Sequence, residues 1–224
     1  MVRQWPSTVF CLCSLPAAAG KVNYVPVVTA ELRNQAQEWH RHLPAAIRFP
    51  ADDTPLFDAR KSFLRMQYFS ICIVLEWASV LRVMEVYGTD QDVSDEIILA
   101  KSEAQICYRY CALYINVAEE QLLGWKLGTF ISIWTSVKSL RAAVSLHDTN
   151  TIASLFVYLA TLIITHKNPA LSFIPETQDE ALIRSAYEML RLWDHIPFVR
   201  RGINRMLGMM ERIGLSAEPL PSGR

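Results

Sequence analysis

The chain carries no net charge. Its 224 residues hold 22 Lys and Arg against 22 Asp and Glu, and charged residues make up only 20% of it. So balanced a chain does not grip nucleic acid by bulk electrostatics, which needs an excess of cations to neutralise phosphates. Cysteine is sparse and poorly spaced for metal. The close pairs among the five are Cys11-X-Cys13 and Cys107-X3-Cys111, whereas a structural zinc site takes about four N/S ligands, commonly from matched C-x2-C pairs. The same scarcity excludes a disulfide scaffold. There is no G-x-x-x-x-G-K-[ST] or G-x-G-x-x-G loop to cradle phosphates, no G-x-S-x-G nucleophile elbow and no H-E-x-x-H pair. No catalytic, cofactor-binding or metal-binding residue is therefore expected, and no cofactor. Asn-X-Ser/Thr acceptors, Asn-Gly turns, alternating strand runs and fixed-period repeats are also missing.

What is present is apolar and helical in period. Hydrophobic residues are 51% of the chain, enough for a real core. Segment 29–43 reads as a helix capped by Thr29, with Leu32, Ala36 and Trp39 inward, and stops at Pro44. Residues 49–55 form a loop bearing Asp52 and Asp53. A long apolar helix over 57–87 closes at Gly88. The clearest stripe lies in 94–123. There Ile97, Ala100, Ala104, Cys107, Cys111, Tyr114 and Ala118 recur at three and four residues, with Lys101, Glu103, Arg109, Glu119 and Glu120 off that face. Further helices are predicted at 127–146 and 152–164, joined at His147–Asn150. Thr177-Gln178-Asp179-Glu180 has the form of a capping box, opening a helix through Leu182, Ile183, Ala186, Met189, Leu190 and Trp193. Pro197 starts the last, with Ile203, Met206, Leu207, Met210 and Ile213 inward. The fold class is all-α, an irregular bundle of about six to eight packed helices. Residues 1–28 read as an irregular N-terminal arm whose small and apolar run up to Gly20 has a weak signal-peptide outline, with Pro26 marking linker. Residues 29–215 form the helical domain, and 216–224 a disordered tail.

Several constellations have a chemical reading and a plainer one. Cys107 and Cys111 lie on the apolar stripe, where free cysteine packs as a small hydrophobe. His40 and His42 sit two apart on a helix, about 200° around it, so they make no joint metal face. His147, His166 and His195 lie near helix ends and read as capping or solvated. Gly124-X3-Gly128 marks a helix junction. Residues 149–166 lack charge, but their apolar centre is too short to span a bilayer, so a buried helix is expected and no membrane. Arg191, Arg200, Arg201, Arg205 and Arg212 form a solvated or acidic-partner face. An aromatic all-α chain also admits a terpene-cyclase type of enzyme, the alternative reading. That activity needs acidic magnesium ligands, yet Asp52-Asp53 runs into Thr54-Pro55, and Asn150-X3-Ser154 runs on to Tyr158 rather than to a carboxylate.

An ordered series of motifs carries a resemblance. Trp39-His40-Arg41-His42-Leu43-Pro44 leads to Phe49; a long Leu/Tyr helix covers 64–84; Cys107-Tyr108-Arg109-Tyr110-Cys111 follows; and a Trp193 helix runs into Val199-Arg200-Arg201-Gly202. Over 31–215 this order resembles the middle-homology and C-terminal regulatory region of fungal zinc binuclear-cluster transcription factors. The resemblance implies a non-enzymatic regulatory protein of the nucleus, tied to control of secondary-metabolite genes. It further implies a protein partner or homodimer, a small-molecule effector, and no direct nucleic-acid binding. Two departures stand out. The family's long second helix commonly ends in Arg-Pro, where this chain has Glu76-Trp77-Ala78. The six-cysteine DNA-binding cluster does not occur within these residues.

Overall fold

The computed structural model describes residues 25–122 and 154–215. Among them are six α-helices and no strand, as the apolar periodicity predicts. We label them α1 (Pro26–Arg41), α2 (Ala59–Val86), α3 (Asp95–Leu122), α4 (154–165), α5 (Glu180–Arg191) and α6 (Pro197–Arg212). Short 3-10 turns occupy Asp90–Val93, Pro169–Leu171 and Pro175–Gln178. The expected arm (up to residue 24), the helix at 127–146, His147–Asn150, Gly124-X3-Gly128 and the tail from 216 lie outside the described residues. Contacts divide the described chain into two compact units, 25–114 with 169–174, and 115–122 with 154–168 and 175–215.

In the first unit, α1 starts earlier than expected. Pro26 is not linker but the first helical residue, where its missing N–H and fixed φ suit the opening turn. Thr29 is consequently inside the helix and buried rather than its cap. At the other end, the backbone N–H of His42 donates to the Glu38 carbonyl, and the imidazole Nδ1 approaches the same oxygen at 2.8 Å. This occupies a carbonyl that the helix itself leaves open.

Helix α2 is capped by Asp58, whose carboxylate accepts the Arg60 N–H at 2.9 Å. It closes at Gly88, where φ is +75°, a conformation that costs glycine little. Helix α3 follows antiparallel to α2. Residues descending along α2 meet residues ascending along α3: Arg82 with Glu96, Ser79 with Glu103, Ile73 with Cys107, Tyr68 with Tyr110. Every residue of the predicted α3 stripe is buried, and Ile97, Ala100, Ala104, Cys107 and Cys111 are wholly so. Their small size has a use at Cys107, whose Sγ reaches the Ile73 carbonyl at 3.5 Å. Cys72, Cys107 and Cys111 are all buried free thiols.

The second unit packs α5 against α6. The α5 cap is Asp179, whose carboxylate takes the N–H of Ala181 at 2.9 Å and of Leu182 at 3.2 Å. Thr177 is therefore not the cap. It lies buried in the preceding 3-10 turn, and its carbonyl is claimed by the Lys167 N–H and by His166 Nδ1. Lys167 adopts a left-handed backbone, φ +54°, just beyond α4. The α5 residues Leu182, Ile183, Ala186, Met189 and Leu190 are buried, as are Ile203 and Met210 of α6. No helix among the described residues is long and apolar enough to cross a membrane.

Gly202 marks where α6 meets α4. A Cβ there would lie 2.5 Å from Phe156 Cζ and 2.7 Å from Cε1. Gly202→Ala gains about 1 kcal/mol of helix propensity but loses about 1–3 kcal/mol to overpacking. The expected outcome is a net drop in the urea midpoint that Phe156→Leu largely restores. Strict additivity in that double-mutant cycle would refute the steric account.

Candidate functional site

The charged residue at the centre of the first unit is one the apolar pattern set aside. Glu103, expected off the buried face of α3, is only 2% exposed, and Glu76 of α2 only 1%. An uncompensated buried carboxylate is costly, so both need partners. Arg33 of α1 supplies them. Its Nε and Nη2 donate to the two Glu76 oxygens, the second at 2.8 Å, and Nη2 also donates to Glu103 Oε1 at 2.7 Å. Ser79 Oγ donates to the other Glu103 oxygen at 2.7 Å. Three helices thus converge on one guanidinium, in the bidentate geometry that makes such pairs strong. The hydrogen bond to Glu76 holds Arg33 above its ordinary pKa, while burial raises Glu76 above the usual carboxylate range. Glu76 stands where the chain departs from the motif series of the resembled family.

This pin decides which side of α1 faces inward. Arg33 and Ala36 turn in, whereas Leu32 and Trp39, expected inward, are 42% and 43% exposed. One turn beyond, His40 is half-buried. Its Nε2 donates to the Phe49 carbonyl at 2.8 Å. The ring lies 4.9 Å from Tyr68 at 24° and 4.7 Å from Phe49 at 55°, while Trp39 stacks on Tyr68 at 6.2 Å. Tyr68 leads inward to Tyr110 and Cys72. Burial pushes Tyr110 up to about 12 and the Cys72 thiol to about 11, and drives Tyr68 higher than its usual range. The hydrogen bond with Cys111 and full burial likewise raise Cys107 well above an ordinary thiol. Raised in this way, the Cys72 and Cys107 thiols favour the protonated, unreactive form, in keeping with a packing role.

Gln37, His40, Arg41, Arg48, Phe49 and Tyr68 line an open cleft of about 450 Å³. Beside it, the 49–55 loop is tied down by the wholly buried Arg65, whose Nη1 donates to the carbonyls of Asp52 at 2.9 Å and Thr54 at 2.6 Å. Asp52 is spent locally: its carboxylate accepts the Thr54 N–H at 3.0 Å, and hydrogen bonds from Thr54 hold its pKa below the usual range. Asp52 and Asp53 are exposed, and among the described residues no cluster of three or more His, Cys, Asp or Glu could hold a metal. Asn150, the other half of the magnesium reading, lies outside them.

In the second unit His166 is buried, not solvated, with Nδ1 on the Thr177 carbonyl at 3.1 Å and Nε2 4.0 Å from Glu180. Glu180 also pairs with Lys167 at 3.3 Å. His195 is exposed, as are Arg191, Arg200, Arg201, Arg205 and Arg212. Arg191 pairs with Glu188 and Arg200 with Asp194. Arg201, Arg205 and Arg212 form a stripe on α6 opposite Val199, Ile203 and Met210, which are buried.

Against this geometry stand the comparisons with known proteins. Over 106 residues the chain is 32% identical to the "Putative transcription factor ecdB" of Aspergillus rugulosus, a match covering 44% of this chain and 18% of that protein. Over that stretch the chain is a distant relative of a fungal protein that is named as a transcription factor. It spans about a fifth of the relative's length. No family model and no solved structure matches the chain.

The buried network makes a pH-resolved prediction. Arg33→Met leaves Glu76 and Glu103 facing each other in the core, a loss of about 3–5 kcal/mol near neutral pH. Because burial raises the Glu76 pKa, the folded chain takes up a proton before the unfolded chain does. Between those two pKa values stability rises as pH falls. The Arg33→Met deficit should therefore shrink as urea titrations move from pH 7 to pH 5. Glu76→Gln removes one of the two charges and should lose less, with a flatter pH profile. Equal deficits at both pH values would show that the carboxylates do not interact through Arg33.

Proposed function

We propose that this chain is a transcription-factor-like regulatory protein that works by binding rather than by catalysis. The observation that carries the reading is the 32% identity over 106 residues to a fungal protein named as a transcription factor. The all-α architecture supports it, being the fold class of the regulatory region that the motif series resembles. The finer reading is a regulatory domain of the zinc binuclear-cluster type, acting in the nucleus on secondary-metabolite genes. It acts through a protein partner or a second copy and responds to a small-molecule effector. Direct DNA reading is assigned elsewhere, because these 224 residues carry no net charge and no six-cysteine cluster.

Fusion of the full chain to a heterologous DNA-binding module tests the reading in a fungal reporter strain. Transcription from a promoter bearing the cognate site should change several-fold relative to the module alone. A fusion that accumulates in the nucleus and leaves the reporter untouched would count against a regulatory role.

A further inference from the structure

We propose that the exposed flank of α1 is a seam for a second copy of this chain, the two helices lying parallel about a two-fold axis. The proposal names a partner that the regulatory reading leaves open, but it rests on the helix alone, so the reporter assay and the test below fail separately. Val28, Leu32 and Trp39 are 53%, 42% and 43% exposed, and Val25 at the cap is 48% exposed. Gln35, also exposed, falls on the same line. Positions 25, 28, 32, 35 and 39 alternate in steps of three and four across two heptads, which is the a and d line of a two-stranded seam. Apolar exposure concentrated in this way and rimmed by polar residues marks an interaction face. The Arg33 pin keeps it outward, since bonding to Glu76 and Glu103 fixes the rotation of α1.

The stripe matches itself. In a parallel pair each a or d residue meets the same residue of the other copy, valine on valine and leucine on leucine. Gln35 is the polar member, held by a hydrogen bond from its Nε2 to Glu31 at 2.8 Å. A carboxamide both donates and accepts, so two of them facing across the axis satisfy each other, and one polar residue within such a seam fixes its register. Charge selects the direction. Glu31 and Glu38 are exposed along the outer edge of the stripe. An antiparallel copy would set Glu31 against the second Glu38, like against like, whereas a parallel copy sets both against the uncharged positions 36 and 43. The bundles are kept clear of one another. At about 100° per residue, the stripe lies roughly a quarter turn from the inward face through Thr29, Arg33 and Ala36. A two-fold axis along it therefore places the two α2–α3 pairs on opposite sides. The seam is short, about 21 Å at 1.5 Å per residue, so the association is a weak one that depends on concentration.

Sedimentation velocity on the full chain tests this, in a series up to about 0.3 mM, within the micromolar-to-millimolar range of weak association. A reversible monomer–dimer equilibrium is expected. Leu32→Glu brings two like charges together on the axis and should weaken the dimer by about tenfold or more. Because Leu32 is exposed, the unfolding temperature of the dilute chain should not change. Direction and register are read by crosslinking in a Cys11→Ser, Cys13→Ser background. Gln35→Cys should form a disulfide-linked dimer under mild oxidation, and Asn34→Cys, one position off the seam, should not. A chain that stays monomeric over the whole series would overturn the proposal and leave the flank to a different protein. A dimer indifferent to Leu32→Glu, or one that crosslinks through Asn34→Cys as readily as through Gln35→Cys, would overturn it equally.

Discussion

The first unit depends on one guanidinium set between two buried carboxylates. Glu76 and Glu103 project from neighbouring antiparallel helices into a region where neither is hydrated, and burial together with the Glu103 charge disfavours ionisation of Glu76. Left alone, such a pair would take up a proton or push α2 and α3 apart. Arg33 removes the conflict by bonding both, and Ser79 satisfies the remaining Glu103 oxygen. An apolar residue at 33 would seat α1 against the bundle but leave that conflict in place.

This requirement inverts the usual amphipathic logic of α1. Its inward face runs through Thr29, Arg33, Ala36 and His40, while Val28, Leu32 and Trp39 stand exposed. The same seat brings the last turn over Phe49 and Tyr68, so that His40 joins the ring cluster and Arg41 reaches the mouth of the cleft. From the far side, Arg65 holds the loop that begins at Phe49 through two carbonyls. The cleft is thus the product of two arginines that do not line it.

Periodicity made the helices readable, and the reason is physical. On α2, α3, α5 and α6, apolar side chains must recur at three and four residues to share a buried face, and the α3 stripe is buried along its whole length. Glu103 escaped because a charged residue flanking such a stripe ordinarily points to water. What brings it in is Arg33, seventy positions away in sequence, and no local signal encodes that. The α1 face was misread for the same reason, since Leu32 and Trp39 are the better hydrophobes and only the distant carboxylates outrank them. At 177–180 two residues could cap a helix. The choice of Asp179 follows from the capture of the Thr177 carbonyl by His166 and Lys167, which is tertiary. Gly202 was visible in its motif, but not the Phe156 ring that requires it.

A buried ionic pin is a poor source of net stability, because desolvation offsets most of the attraction. What it supplies is register. Apolar helix faces tolerate slippage, since one methyl group replaces another at little loss. If α1 slid along α2 by one turn, about 5.4 Å, the guanidinium would leave both carboxylates and two buried charges would lose their counter-ion at once. The cleft needs that precision more than the core does. His40, Gln37 and Arg41 face Phe49, Tyr68 and Arg48 only when α1 occupies a single axial position. A helix held by apolar contacts alone would keep the bundle folded and still blur the spacing between the last turn of α1 and the buried rings of Phe49 and Tyr68. The network around Arg33 therefore sets the geometry at the end of α1 by removing every placement of that helix but one.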